Sequence, residues 1–153
     1  MNKNHSPVKR KEAADLFWEA IPPIWYLMRA QINKTARERF EITGGHFHVL
    51  RRIKSGHTSV SDLADARHIS RPVVSRKIDS LVDKGLVSRR ESQEDRRFTI
   101  LELTEEGEKI LEFMFEASHV WLEEQLMTLD NQELAAVIQG FEILKQVAKG
   151  GNL

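Results

Sequence analysis

From Lys9 onward, apolar residues return at helical intervals, first as Ala13, Leu16, Phe17 and Ala20. Positions three and four apart share one face of an α-helix, so this spacing predicts an amphipathic helix. Pro22 and Pro23 are expected to end it, with a second helix opening around them, because proline is tolerated in a first turn. Ile24, Leu27, Met28, Gln31 and Ile32 continue the stripe through IWYLMRAQINKTARERF. Thr43 stands as the N-cap of a helix through Phe47, Leu50 and Ile53, stopped at Gly56. Ser59 with Asp62 makes a capping pair for a very short helix ending near Arg67–His68. Ser70 caps the next, RPVVSRKIDSLVDK, with Val74, Ile78, Leu81 and Val82 inward and Gly85 closing it.

The period then changes. LVSRR and RFTILEL alternate around the tip SQED, which predicts a β-hairpin. Thr104 caps a long helix bearing Ile110, Leu111, Met114, Trp121 and Leu122 on one face. Asp130 and Glu133 start a last helix with Leu134, Val137, Ile138, Phe141 and Leu144. The fold class expected is mainly α with a small hairpin wing. A polar, disordered tail (1–8) precedes N-terminal helices (9–42), a winged helix-turn-helix (43–104) and C-terminal helices (105–150).

Composition narrows the chemistry. Among 153 residues there is no cysteine, which excludes disulfides and thiolate metal sites. No apolar run approaches the ~20 residues of a membrane span, and the N-terminus lacks a signal h-region, so a cytoplasmic protein is expected. The net charge of zero hides a division. Residues 1–101 hold 20 Lys/Arg against 12 Asp/Glu, and residues 102–153 hold 3 against 11. A segregated basic region suits a polyanion, while overall neutrality limits indiscriminate binding. Chance clustering on a solvated surface gives the same pattern.

Two consecutive helices with a four-residue turn form a helix-turn-helix pattern. Burying 74, 78, 81 and 82 leaves Arg71, Pro72, Ser75, Arg76 and Asp79 on the opposite face, where they can serve a DNA major groove. Arginine bridges guanine O6 and N7, serine donates or accepts, and Pro72 or Val73 can touch a thymine methyl. Ser70 lies at a helix N-terminus, where N–H groups and the dipole favour a phosphate. A plain two-helix packing unit with a polar outer face is the competing reading. The hairpin that follows turns the motif into a winged helix, whose arginines suit the negative potential of a narrow minor groove.

Three segments carry a family resemblance: TGGHFHVL, then VSDLADARHISRPVVSRKIDSLVDKGLVSRR, then DRRFTILELTEEG. From Thr43 to Gly107 the chain resembles the MarR family of winged-helix transcription regulators, the last segment matching that family's D-x-R…L-x-L-T wing signature. The resemblance implies a homodimer with interlocked terminal helices. It implies Asp95 and Arg97 as the wing pair, with Arg96 or Arg97 entering the minor groove. It also assigns Ser70, Arg71, Pro72, Val73, Ser75 and Arg76 to the major groove, and Lys77 and Arg89 complete the expected DNA-binding set. His68 departs from the family's usual glycine in the turn, and His46 from its common Gln or Glu. The apolar stripes at 13–32, 110–122 and 134–144 support a dimer independently, since a winged helix of about 65 residues cannot bury them all.

The function expected is therefore a dimeric, sequence-specific DNA-binding regulator, by default a repressor, released from a pseudo-palindromic operator by a small aromatic ligand. The resemblance places that ligand between the dimer helices and the winged helix, with Trp18, Trp25, Tyr26, Arg29, His46 and Phe47 as candidate contacts and Trp121 and His48 nearby. Aromatic residues at helical spacing serve equally as core. His46-x-His48 sets its rings about 200° apart on a helix, so the two do not chelate together and no metal is expected. No G-x-S-x-G, G-x-x-x-x-G-K-[ST] or G-x-G-x-x-G occurs, so no catalytic residue or cofactor is expected. The alternative is a winged-helix protein-interaction module, or an architectural DNA binder indifferent to any ligand.

Overall fold

The computed structural model describes residues 7–65, 69–91 and 99–150. The elements run α1 (Pro7–Phe40), α2 (Gly44–Lys54), α3 (Val60–Asp65), α4 (Arg71–Asp83), β1 (Val87–Glu91), β2 (Thr99–Leu103), α5 (Glu105–Leu126) and α6 (Asn131–Gly150). They fall into two compact units divided after Ser118.

The first unit is built on a winged helix. Its core gathers Ile32 and Ala36 of α1, Phe47, Leu50 and Ile53 of α2, Leu63 of α3, Val74, Ile78 and Leu81 of α4, Val87 and Leu101 of the hairpin, and Ile110, Leu111 and Met114 of α5. The expected inner face of α4 is thus the observed one, with Val82 partly buried against the core. Phe40 meets Phe113 edge-on with centroids 5.3 Å apart, and Phe47 meets Phe115 at 5.7 Å.

One expectation fails at the start. The chain does not break at Pro22–Pro23, because α1 runs through both as one helix of 34 residues. Proline's fixed φ is itself helical; what is lost is two N–H donors, together with room beside the carbonyls of Trp18 and Glu19. The helix also begins at Pro7, earlier than the expected tail allows. It ends in a left-handed αL turn: Glu41 takes φ 52° and donates its N–H to the Arg37 carbonyl, and the Ile42 N–H reaches the Ala36 carbonyl.

The hairpin pairs β1 and β2 antiparallel, with Val87 opposite Leu103 and Arg89 opposite Leu101. Leu101 N–H also bonds the Thr58 carbonyl, which ties β2 to the segment before α3. Three bonds then join the hairpin's ends to α5. Thr104 N–H donates to the Leu86 carbonyl, Thr104 Oγ1 donates to the Gly85 carbonyl, and Gly107 N–H donates to Thr104 Oγ1. Gly107 is obligatory here, since a Cβ would stand 2.1 Å from the Leu86 oxygen.

The second unit contains the end of α5 and all of α6. Asp130 Oδ1 accepts from the N–H groups of Gln132 and Glu133, and Glu133 Oε2 accepts from Asp130 N–H. That is the reciprocal capping box expected from the sequence. No residue of α6 is buried; Ile138, Phe141, Ile143, Leu144 and Val147 are all exposed.

Candidate nucleic-acid interface

The presented surface of the winged helix begins with how α3 and α4 are held. Ser59 Oγ accepts from Asp62 N–H, and Ile69 N–H donates to the Ala64 carbonyl, so the short helix is capped at one end and tied at the other. The turn residue His68 lies outside the described residues. Ser70 occupies the N-cap of α4 with extended backbone, but its hydroxyl makes no capping bond. Pro72 contributes no N–H, and Val73 N–H turns back to the Ser70 carbonyl. Among the described residues the donors left at this end are therefore few: the Ser70 N–H and Oγ and the Arg71 N–H. That is a smaller phosphate cradle than the sequence alone suggested.

Along α4, Arg71, Pro72 and Arg76 are exposed, and Val73, Ser75 and Lys77 are half-buried. Among the described residues neither Arg71 nor Arg76 has an ion-pair partner. Two arginines of β1 differ. Arg89 donates from Nη2 to Asp79 Oδ1 on α4, and Arg90 donates from Nη2 to Glu102 Oε1 on β2. Asp79, expected to face the groove, thus faces the wing strand. Asp95, Arg96 and Arg97 lie outside the described residues.

Lys77 points elsewhere. Its Nζ stands 3.0 Å from where a Cβ on Gly45 would be, above the first turn of α2. There it helps line a cavity of about 310 Å³ with Arg29, Ile32, Asn33, Gly44, Gly45, His48 and Ile69. Asn33 Oδ1 closes one side by accepting from Gly44 N–H at 3.0 Å, a bond between residues too far apart along the chain to leave a local signal. Of the candidate effector contacts, Arg29 lines this cavity. Phe47 is sealed in the core, and Trp18, Trp25 and Tyr26 are exposed on α1 at 73%, 48% and 72%.

His46 has a structural task. Its backbone N–H donates to Thr43 Oγ1, and its Nδ1 accepts from Thr43 N–H at 3.2 Å. The pair forms a capping box, with histidine doing what Gln or Glu does at that position. Burial, then the nearby charges of Lys77 and Lys84, lower its pKa below the usual 6.5. Thr43-x-x-His46 was a legible capping pattern, though histidine disguised it. Among the described residues no three His, Asp or Glu side chains come together as a metal site would require. No helix there is long and apolar enough to cross a membrane.

Comparison with known proteins agrees with this geometry. Residues 40–97 match the family model described as MarR family. The HTH-type transcriptional regulator YfiV of Bacillus subtilis (strain 168) is 35% identical over 97 residues, spanning 63% of this chain but 61% of that relative's length. The HTH-type regulator YdgG of the same organism is 28% identical over 143 residues, 92% of this chain and 93% of the relative. The crystal structure of wild-type MarR from E. coli in its apo form superposes with a TM-score of 0.70 at 24% identity, covering 84% of this chain and 93% of that one. The two Bacillus subtilis relatives are named as transcriptional regulators. Over residues 40–97 the chain matches the MarR family, and its fold is that of the MarR winged-helix proteins.

Proposed function

We propose that the protein is a homodimeric repressor that reads a pseudo-palindromic operator through α4 and leaves it when a small ligand binds. The observation that carries DNA reading is the outward strip of α4, where Arg71 and Arg76 stand exposed beside Ser75 and, among the described residues, without ion pairs. Guanidinium groups five residues apart, about 7.5 Å along the helix axis, suit base edges and the phosphates that flank them. Ser70, Pro72 and Val73 complete the contact set at the helix start, and Asp95, Arg96 and Arg97 supply the wing contact. The dimer is supported by apolar faces that a single chain leaves open, including Leu16, Trp18 and Leu27 on α1 and Ile138, Phe141 and Val147 on α6. A second copy covers them and sets two recognition helices about 34–36 Å apart, one turn of DNA.

For the ligand, the cavity beside Arg29 supports an acidic aromatic molecule, since Arg29 and Lys77 bring positive charge to an otherwise apolar and amide-lined space. Selection of bound duplexes from a random pool tests the central claim. Recovery of two inverted half-sites about 10 base pairs apart is expected. Recovery of unrelated sequences with no symmetry overturns sequence reading, and an asymmetric single site overturns the dimer. Titration with aromatic acids, followed by tryptophan fluorescence and DNA release, tests the ligand separately.

A further inference from the structure

The outward strip of α4 carries a carboxylate among its cations. Asp79 follows Ser75 by four residues and Arg76 by three, so it shares their side of the helix. A carboxylate there repels phosphates, and at base edges it reads little beyond the cytosine amino group. Its partner is instead Arg89 of β1, bonded Nη2 to Oδ1. The two side chains keep 41% and 50% of their exposure, so solvent and other anions reach the pair. Arg89 lies two residues beyond buried Val87 on β1 and so shares its face, which turns it toward α4 rather than away.

We propose that Asp79 is a positioning residue that acts as an internal stand-in for a DNA phosphate. It holds Arg89 beside the recognition helix and withholds that charge from duplexes in general. The inference rests on the DNA-binding reading above. On an arbitrary duplex, no phosphate is seated well enough to displace the carboxylate, and Arg71 and Arg76 are the exposed arginines of α4 that contribute. On the operator, base contacts along α4 fix the backbone beside β1, and a phosphate takes Arg89 over. Asp79 therefore lowers affinity for every duplex, but least for the one that docks in register, and so widens discrimination.

The test uses the full chain in DNA-binding titrations across a salt series, with the selected operator and a scrambled duplex of equal length. Asp79→Asn, isosteric and at an exposed position, is expected to bind the scrambled duplex about threefold to tenfold more tightly. Its slope of log affinity against log salt steepens by about 0.9, one additional phosphate. Operator affinity rises less, so the ratio between the two falls. Adding Arg89→Gln to that variant removes the gain. Wild-type slope and affinity in Asp79→Asn, or a gain that survives Arg89→Gln, overturns the proposal while leaving the DNA reading intact. Absence of any salt-dependent duplex binding by the wild-type protein overturns both.

Discussion

At the scale of single residues, His46 ties helix capping to proton binding. Its Nδ1 accepts a bond only when unprotonated, and burial with Lys77 and Lys84 nearby disfavours the imidazolium. The unfolded chain therefore takes up a proton on this residue at a higher pH than the folded chain does. Its contribution to stability is complete above about pH 6.5 and declines as pH falls toward the lowered folded value. Thermal melts between about pH 5 and 7.5 should show this decline. His46→Gln, which keeps an acceptor in the box, should flatten it, and an unchanged profile would mean that another group is responsible. Gly107→Ala is expected to destabilise by about 1–3 kcal/mol, because its methyl enters the space of the Leu86 oxygen. Chemical denaturation measures that directly. The capping pairs at Ser59 and Asp130 were legible in the sequence because each closes within three residues. The bond between Asp79 and Arg89 was not, since nothing local says that two polar positions on different elements will meet.

At the scale of elements, α1 holds the main departure from expectation. Periodicity found its apolar stripe on both sides of Pro22–Pro23, but a local rule for proline divided what the fold keeps whole. An interior proline costs about 3 kcal/mol relative to alanine, so α1 depends on packing to compensate. The single chain does not supply that packing along residues 8–20, all of which are exposed. Pro23→Ala restores a donor to the Glu19 carbonyl and is expected to raise the melting temperature by several degrees. A lowered melting temperature would show that the proline pair is shaped to fit a partner surface. The recognition helix was more legible, because one buried face and one polar face suffice to orient it. Lys77 escaped that logic: it lies at the edge between faces, and its long stem carries the ammonium back over Gly45.

At the scale of the whole molecule, charge and apolar surface divide the labour. The basic surplus lies in residues 1–101, which contain the α4 surface, and the acidic surplus lies in residues 102–153, whose α6 leaves its apolar face open. Sedimentation at micromolar concentration is expected to give a particle of twice 17.7 kDa. Phe141→Glu should shift that particle toward the monomer and weaken operator binding together, since two half-sites need two reading helices. A dimer unaffected by Phe141→Glu would place the contact on another face.

The junction at Leu86 has a mechanical consequence. A backbone oxygen gripped by Thr104 and crowded by Gly107 leaves no slack between the exit of the recognition helix and the base of α5. Rotation at that base would be passed to the reading surface with little play, as through a keyed shaft. For the ligand-released dimer proposed above, a ligand would then need no contact with α4 to loosen the grip on DNA; a tilt of α5 by a few degrees, carried to both half-sites, would put each out of phase with its groove.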